Sequence, residues 1–489
     1  MNAFTTECRA MTIRRIVPGA VAVVLLLATS ACEQGLTDLN ENPNAPTDVP
    51  ATLLIRPAIT NSAANGLGVG MTWNHAGLWA QHFAQIQYPD EDRFLVRDGS
   101  VQGFWDSWYS GPLRDIQTII QKGEAENRPN YTAMGLILRA WNIGIITDLW
   151  GDVPFSEAVS GEGGQFTPKY DTQQEIYTAL FADLRQAAEM INLSQPGMGA
   201  VDLIYQGDME KWRKFANSLR LRLAMRISDV DASTARTQFE AALASPGGVF
   251  QAEADQARLA YLAGTNRNPF FQNQLTRDDH RISATLVNHL IATGDPRLPV
   301  YANPIQSDGV SFVGHQNGRI TGSAPLTERS KVGNWFTGET SPVFFQRYSE
   351  VLFLRAEAAQ RGWNAGGSAE ALYEAAVRAS MSQYGISQGA ASEFLARPEN
   401  SFAAAGNKLQ LIGTQKWVAL FGQGTEAYAE WRRTGYPALA PGPEVVLPNI
   451  PRRFPYPALE TSLNQASLNA ALQRQGDVSL QGRVWWDRP

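Results

Sequence analysis

Apolar residues recur every three or four positions in several long stretches of the chain, which is the period of an α-helix. The clearest stretches are 131–149, 172–192, 208–228, 345–361, 368–384 and 409–434. Thr172 followed by Glu175 is typical of a capping box, in which two side chains satisfy backbone groups of the first helical turn. The pattern therefore predicts a mainly α protein with several long helices.

The stretches 345–361 and 368–384 flank the turn GWNAGG and carry small alanine side chains, which allow two helices to pack closely. Together they have about the length of a tetratricopeptide repeat. The spacing does not recur regularly elsewhere in the chain. We therefore predict irregular tetratricopeptide-like helix pairs that form an α/α scaffold.

Two long segments, about 230–345 and 435–489, show no helical periodicity and are rich in Gly, Pro, Asn and aromatic residues. Loops of that length inside a compact protein are usually functional. We therefore interpret residues 51–489 as a single helical domain in which these long loop-rich insertions carry the ligand site.

The first 31 residues have the pattern of a secretory signal peptide. Three arginines precede the apolar run 16–28, and the small residues Ser30 and Ala31 follow it. The run is shorter than the roughly 20 residues that span a membrane, and no longer apolar run occurs in the sequence. We expect residues 1–31 to be removed from the mature protein.

Cys32 follows Ala-Thr-Ser-Ala directly, and this arrangement resembles the lipobox of bacterial lipoproteins. We expect the Cys32 thiol to be acylated, so that this residue becomes the mature N-terminus and its lipid anchors the chain. An ordinary signal peptide cut nearby is the alternative. Residues 32–50 are rich in Pro and Asn and are predicted to form an extended tether.

Composition excludes several classes of protein. The chain has 41 Lys and Arg against 47 Asp and Glu, a net charge of −6, and no basic tract, which argues against a nucleic-acid partner. Two cysteines are too few for a disulfide scaffold or a cysteine-rich metal module. Hydrophobic residues make up 44% of the sequence, which is enough for a large core.

The motifs of several enzyme and metal-binding classes are absent from the sequence. It contains no G-x-S-x-G, no Walker A loop and no H-E-x-x-H. His75 and His82 lie seven positions apart on one possible helix face, and we interpret them as partly buried histidines. The D-x-N-x-N pattern in 38–44 lacks the glycine and the bidentate glutamate of a calcium loop. We therefore predict neither a metal nor a cofactor.

Carboxylates are numerous enough for glycoside hydrolysis, which needs two of them across a sugar ring. The candidates are Asp90, Glu91, Asp92, Asp148, Asp152, Glu426 and Glu430. Their separation in space does not follow from the sequence. A lipid-anchored glycoside hydrolase therefore stays an alternative.

Aromatic residues fall into two groups. Trp141, Trp212, Trp417 and Trp431 lie on the apolar stripes and are predicted to be core. Others lie in polar, turn-rich surroundings, where a ring is able to stack on the C–H face of a sugar while nearby amides and charges bind its hydroxyls. The candidate ligand-binding residues are Trp73, Asn74, Tyr88, Asp90, Arg93, Asn334 and Trp335.

Long phrases along the chain resemble one known family. They include TDLWGDVPFSEA at 147–158, KYDTQQEIYTALFADLRQA at 169–187, GDMEKWRKFANSLRLRLAMRIS at 207–228, SEVLFLRAEAAQRGW at 349–363 and QKWVALFGQGTEAYAEWRRTGYP at 415–437. In this order and at these intervals they are similar to the SusD/RagB family of outer-membrane lipoproteins, in its SusD-like branch. The resemblance covers essentially the whole mature chain.

The resemblance implies a function as well as a fold. Proteins of this family have tetratricopeptide-like helices on one side and a shallow oligosaccharide site in loops on the other. They sit at the outer membrane, facing the cell exterior, as lids on SusC-like TonB-dependent transporters, and they hand over ligand without cleaving it. The arginines of 213–226 would pair with carboxylates such as Glu357, Glu426 or Glu430.

Two alternatives remain beside glycan capture. One is the lipid-anchored glycoside hydrolase. The other keeps the scaffold but binds peptide or another non-glycan cargo, because Trp and Tyr rings stack on proline and on sugars alike.

Overall fold

Helices account for most of the chain that the structure describes, as the hydrophobic periodicity predicted. The structure is a computed structural model, and it describes residues 49–159 and 164–488. The predicted signal peptide, the predicted acylation site Cys32 and most of the predicted tether lie outside the described residues.

The helices are α1 (Ala51–Leu67), α2 (Val69–Thr72), α3 (Ala76–Trp79), α4 (Asp98–Trp108), α5 (Arg114–Ala125), α6 (Pro129–Trp150), α7 (Gln173–Met190), α8 (Met209–Arg226), α9 (Ala232–Ala244), α10 (Pro269–Gln274), α11 (Ala284–Thr293), α12 (Leu298–Tyr301), α13 (Asn334–Thr337), α14 (Tyr348–Gln360), α15 (Ala369–Ser382), α16 (Gln388–Leu395), α17 (Lys408–Ala419), α18 (Gly424–Thr434), α19 (Glu460–Leu463) and α20 (Gln465–Gln475). A π-helical turn at Tyr109–Leu113 joins α4 to α5.

Six short strands pair two by two. They are β1 (Phe83–Gln85), β2 (Val153–Pro154), β3 (Tyr170–Asp171), β4 (Ala257–Leu259), β5 (His280–Ile282) and β6 (Val343–Gln346). The antiparallel pairs are β1 with β5, β2 with β3, and β4 with β6. In the first pair Phe83 lies opposite Ile282 and Gln85 opposite His280, so two distant loops meet at one point.

Five of the six predicted helical stretches are confirmed as α6, α7, α8, α14 and α15. The predicted capping box is present at the start of α7: Thr172 Oγ1 accepts from the backbone N of Glu175, whose Oε2 accepts from the backbone N of Thr172 at 3.0 Å. Successive helices pack on one another from α5 to α9, and α14 packs on α15. The described part of the chain therefore has the expected scaffold of helix pairs.

The prediction of one long helix over 409–434 is wrong. The structure has two helices, α17 and α18, separated by residues 420–423. Gly422 has a φ of +82°, a conformation that glycine adopts readily and that interrupts a right-handed helix. The apolar period continues through the break because both helices face the same core.

The segments 230–345 and 435–489 contain more regular structure than the sequence indicated. Helices α9 to α13 and α19 to α20 lie within them, separated by irregular chain. The buried face of α9 consists of Ala235, Phe239 and Ala242. Two alanines and one large apolar side chain give a weak periodic signal, which explains why this helix was not predicted.

The predicted core tryptophans Trp141, Trp212, Trp417 and Trp431 are all buried, as expected. His75 and His82 are also buried, more completely than predicted. Contacts within Pro50–Pro489 make this part of the chain one compact unit.

Buried ion pairs connect the helices through the centre of the core. Arg222 of α8 binds Glu350 of α14 at 2.7 Å, and Arg226 of α8 binds Glu426 of α18 at 2.6 Å. Both contacts follow the expectation that arginines of 213–226 pair with carboxylates of other helices. The expectation fails for Glu357, which instead binds Arg433 at 2.6 Å. Such a network fixes the relative positions of helices, because a buried charge without its partner is strongly unfavourable.

Candidate ligand-binding face

Three of the predicted site residues lie on the loop 86–97, which leads from β1 to α4. This loop continues the β1–β5 pairing for one more step, since Ile86 N donates to the carbonyl of Asp279 at 2.8 Å. Its far side is fixed by buried Asp92, which accepts from Gln85 N at 3.0 Å and from Asn317 Nδ2 at 2.7 Å. The loop is therefore anchored at its start and near its middle.

The Asp92 anchor is a buried carboxyl group with a shifted titration. Burial raises the pKa of Asp92 to about 7, although Asn317 and the N–H of Gln85 stabilise the charged form. Neutral pH therefore lies near the midpoint of the titration of the Asp92 carboxyl group.

Tyr88 is the most exposed of the predicted site residues that carry a ring. Its side chain is 64% exposed, and its backbone has a φ of +51°, which is unusual for a bulky residue. The guanidinium of Arg277 lies 5.2 Å from the ring centroid and is itself bound to Asp279 at 2.6 Å. A strained, exposed aromatic ring that is held in place by a cation is a feature of binding sites rather than of cores.

Trp73 does not have the exposed position that was expected of a stacking ring. It is 2% exposed, and its ring packs against Phe270 at 4.7 Å and His280 at 4.9 Å. Its two partners are about 200 positions away in the sequence, so their presence was not predictable from local pattern. Trp73 is therefore part of the core and offers no free ring surface to a ligand.

Asn74 lies beside Trp73 and contacts the same histidine. Its Oδ1 lies 2.9 Å from Nε2 of His280. Burial lowers the pKa of His280 to about 3, and Arg277 and Arg281 act in the same direction. The ring is therefore neutral at pH 7, and with Asn74 Oδ1 as acceptor its Nε2 carries the hydrogen.

Asn334 and Trp335 lie on α13, next to a shallow cavity of about 380 Å³. Asn334 is exposed and lines this cavity, together with Phe271, Gln274, Leu275, Thr337 and Gly338. Trp335 is half-buried and stacks on Phe344 with a centroid separation of 6.3 Å. Leu275 is two residues from Arg277, a span of at most about 7 Å, so the cavity lies close to the segment that carries the cation beside the Tyr88 ring.

Asp90 and Arg93 are bound within the protein. Asp90 pairs with Arg97 at 2.5 Å, and Nε of Arg93 donates to the carbonyl of Glu444 at 2.7 Å. Val446 N returns a hydrogen bond to the carbonyl of Arg93. The Asp90–Arg97 pair closes the loop 86–97 on itself, and Arg93 holds the loop against the segment at 444–446, so both residues have a positioning role.

We use the name loop face for the surface formed by Tyr88, Arg277, Leu275, Asn334 and Trp335. The predicted site residues did not include Arg277 and Leu275, which lie in the run Leu-Thr-Arg-Asp-Asp-His at 275–280. An exposed leucine beside clustered charges was the available signal, but nothing in the sequence placed this run opposite Tyr88.

The seven carboxylates considered for glycoside hydrolysis each have a partner within the protein. Asp148 and Glu426 bind Arg226, Asp152 binds Arg474, and Glu430 binds Lys416. Asp90 pairs with Arg97, Glu91 accepts from Gln85, and Asp92 accepts from Asn317. Burial raises the pKa of Glu426. Burial alone would also raise the pKa of Glu430, but Arg433, Lys416 and Arg226 together lower it.

Neither a metal cluster nor a membrane-spanning helix is found in the part of the chain that the structure describes. Within residues 49–159 and 164–488, no three His, Cys, Asp or Glu side chains are grouped so as to hold a metal ion. No helix among the same residues has both the length and the apolar character needed to cross a membrane.

A protein-family model matches most of the chain. A family model, SusD-like, described as starch-binding and associating with the outer membrane, matches residues 43–457. A search of curated protein sequences gives no match.

Solved structures of similar proteins cover most of the chain. One is described as a chitin-binding protein; it is 31% identical with a TM-score of 0.79, over 90% of this chain and 100% of that one. A chitin-binding SusD homologue from Flavobacterium johnsoniae is 27% identical with a TM-score of 0.81, over 89% and 98%. A SusD homologue from Bacteroides uniformis is 28% identical with a TM-score of 0.80, over 90% and 100%.

Proposed function

The chain belongs to the SusD-like family, which is associated with the outer membrane, and from this membership we propose that it is a cell-surface lipoprotein that captures oligosaccharide on its loop face. The captured ligand is delivered to a SusC-like TonB-dependent transporter without being cleaved. The acylated Cys32 anchors the protein at the outer membrane with the loop face directed to the exterior.

The observation that carries the binding part of this proposal is the exposed Tyr88 ring above Arg277. A sugar ring stacks on such a surface through its apolar C–H face. Asn334 and the cavity beside it supply amide groups and space for neighbouring hydroxyls. The surface is shallow and open, so binding in the micromolar to millimolar range, about −8 to −4 kcal/mol, is expected. Weak binding suits a protein that must release its ligand.

Two of the similar structures are described as chitin-binding, and the family description names starch. We therefore propose chitin-type and starch-type oligosaccharides as the first two ligands to test. The transporter part of the proposal rests on family membership, and the anchor on the sequence around Cys32.

The test is affinity electrophoresis of the purified protein in native gels that contain soluble starch or glycol chitin. Tyr88→Ala and Trp335→Ala are run beside the wild type, with Phe166→Ala as the matched control because Phe166 is an exposed ring that is not on the loop face. We expect one polysaccharide to retard the wild type and the control. Tyr88→Ala should weaken binding about tenfold, which corresponds to about 1.4 kcal/mol.

Reducing-sugar release from the same polysaccharides separates the proposal from its alternatives. Release by the wild type would contradict the non-catalytic role and favour the hydrolase. Equal retardation of Tyr88→Ala and the wild type would remove the loop face as the site. No retardation by any glycan would favour a non-glycan cargo.

A further inference from the structure

A second cavity, of about 670 Å³, lies between the start of α7, the end of α20 and the segment 477–488. An adjoining cavity of about 500 Å³ shares Thr172 and Arg474 with it and continues between β3 and α20. We name the two together the α7–α20 groove. Its volume is typical of small-molecule sites, and it shares no lining residue with the loop face.

The walls of the groove are held by buried contacts. Trp486 inserts into the core, where its Nε1 donates to Asp148 Oδ1 at 2.6 Å. The next residue, Asp487, binds Arg452 and also Arg483, the latter at 2.8 Å. The groove is therefore a preformed feature of the fold.

The charges in the groove largely cancel. Arg474 is bound to Asp152 at 2.9 Å and Arg483 to Asp487, so among the described lining residues only Arg488 is an arginine without an ion pair. The N-terminus of α7 is also partly occupied, because Asp152 accepts from Gln173 N and the capping box uses the N–H of Glu175. The groove thus offers little that would attract an anion.

Amide groups dominate the remaining polar surface. Four glutamines line the larger cavity: Gln173, Gln174, Gln475 and Gln481. The Oε1 atoms of Gln173 and Gln481 are buried and have no hydrogen-bond donor among the described residues. A buried acceptor without a donor costs about 1–3 kcal/mol, so a group that donates hydrogen bonds would be favoured beside each of these two atoms.

Hydroxyl groups meet this requirement, because each donates one hydrogen bond and accepts others. The exposed amide of Gln174 is free to donate to them or accept from them. Trp485 is half-buried in the same lining and supplies an apolar surface for C–H groups. We propose that the α7–α20 groove is a second binding site, for a neutral, hydroxyl-rich ligand of the saccharide class.

The test follows the Trp485 indole signal by NMR while the purified, ¹⁵N-labelled protein is titrated with maltotriose or triacetylchitotriose. Trp485→Phe assigns the signal. The informative variants are Gln481→Ala and Gln174→Ala, with Gln410→Ala as the control, an exposed glutamine that does not line the groove. Gln174 has no side-chain bond to lose, so its variant keeps the fold.

We expect at least one trisaccharide to shift the Trp485 signal. Gln481→Ala should weaken that binding about fivefold and Gln174→Ala about threefold, while Gln410→Ala leaves it unchanged. Tyr88→Ala should also leave it unchanged, which separates this site from the loop face and from the success or failure of the proposed function.

Three results would overturn the proposal. One is the absence of any Trp485 shift at 20 mM of either trisaccharide. Another is a shift that disappears in Tyr88→Ala, because the signal would then report binding at the loop face. The third is a shift produced by inorganic phosphate at a lower concentration than by either sugar, which would make the groove an anion site.

Discussion

The guanidinium of Arg277 lies 5.2 Å from the centroid of the Tyr88 ring, although 189 positions separate the two residues in the chain (277 − 88). The pairing of β1 with β5 brings them together, and Asp279 fixes the guanidinium. An exposed ring would otherwise sample several rotamers, so this contact orders the surface before ligand arrives.

Replacing Arg277 should therefore weaken oligosaccharide binding without unfolding the protein. An exposed cation–π contact contributes about 0.5–1 kcal/mol, so Arg277→Ala should lower affinity about two- to fivefold. Isothermal titration with the polysaccharide identified by electrophoresis measures the effect. Arg236→Ala, which removes an exposed arginine from a surface ion pair on α9, serves as the control. Unchanged affinity in Arg277→Ala would show that the Tyr88 ring binds ligand without the contact to the Arg277 guanidinium.

Acidification should destabilise the protein through its buried histidines. Burial lowers the pKa of His280 and of His82 to about 3, while an unfolded histidine titrates near 6.5. Below pH 6.5 the unfolded state binds more protons, so each such histidine removes about 1.4 kcal/mol of unfolding free energy per pH unit until its folded pKa is reached.

Urea unfolding at pH 7.5, 6.0, 5.0 and 4.0 tests this dependence for one residue. His280→Gln removes the titrating group while its amide is able to reach Asn74. The variant should lose about 1.4 kcal/mol less per pH unit than the wild type between pH 6 and pH 4. Parallel stability curves for the two proteins would contradict a neutral, buried His280.

Arg433 should be among the most sensitive charged residues of the core. It binds Glu357 at 2.6 Å and also Glu430, and all three side chains are buried. Arg433→Leu leaves two carboxylates without this partner and should cost about 3–5 kcal/mol in urea unfolding. Arg397→Leu, which removes a half-exposed arginine 3.9 Å from Glu399, should cost less than about 0.5 kcal/mol. Similar losses in the two variants would argue against a structural role for the network.

Trp486 should contribute far more to stability than its neighbour in sequence. It is fully buried and lies beside Arg226 and Arg432, whereas Trp485 is half-buried. Trp486→Ala should therefore cost about 3–5 kcal/mol through the cavity it leaves. Trp485→Ala should cost clearly less, and chemical denaturation of the two variants compares them. Equal losses would mean that the segment 477–488 is held by other contacts.

The sequence predicted those parts of the fold that local signals determine. The capping box at Thr172 and Glu175 placed the start of α7 correctly, because both partners lie within one helical turn. The break after α17 was missed because it depends on the backbone conformation of Gly422, which the apolar period does not register. Helix α9 was missed because alanine carries little of the hydrophobic signal.

The candidate site was less predictable, because it is made by contacts between distant segments. Tyr88 was identified from its polar surroundings, and the structure places it on an open surface. Trp73 has similar local surroundings but is covered by Phe270 and His280, which come from the other side of the β1–β5 pairing. The local sequence does not show that Trp73 is covered while Tyr88 is exposed. It also does not show that Arg277 is the cation beside the Tyr88 ring.

The contact of Trp486 with Asp148 also determines when folding can finish. The two residues are 338 positions apart, so α6 leaves the ribosome long before the indole that completes its surroundings. Until Trp486 is in place, Asp148, Arg226 and Arg432 lack the indole that they contact in the folded protein. The surroundings of α6 are therefore complete only once the segment 477–488 is present, so a chain shortened before Trp486 would lack a buried ring of its core.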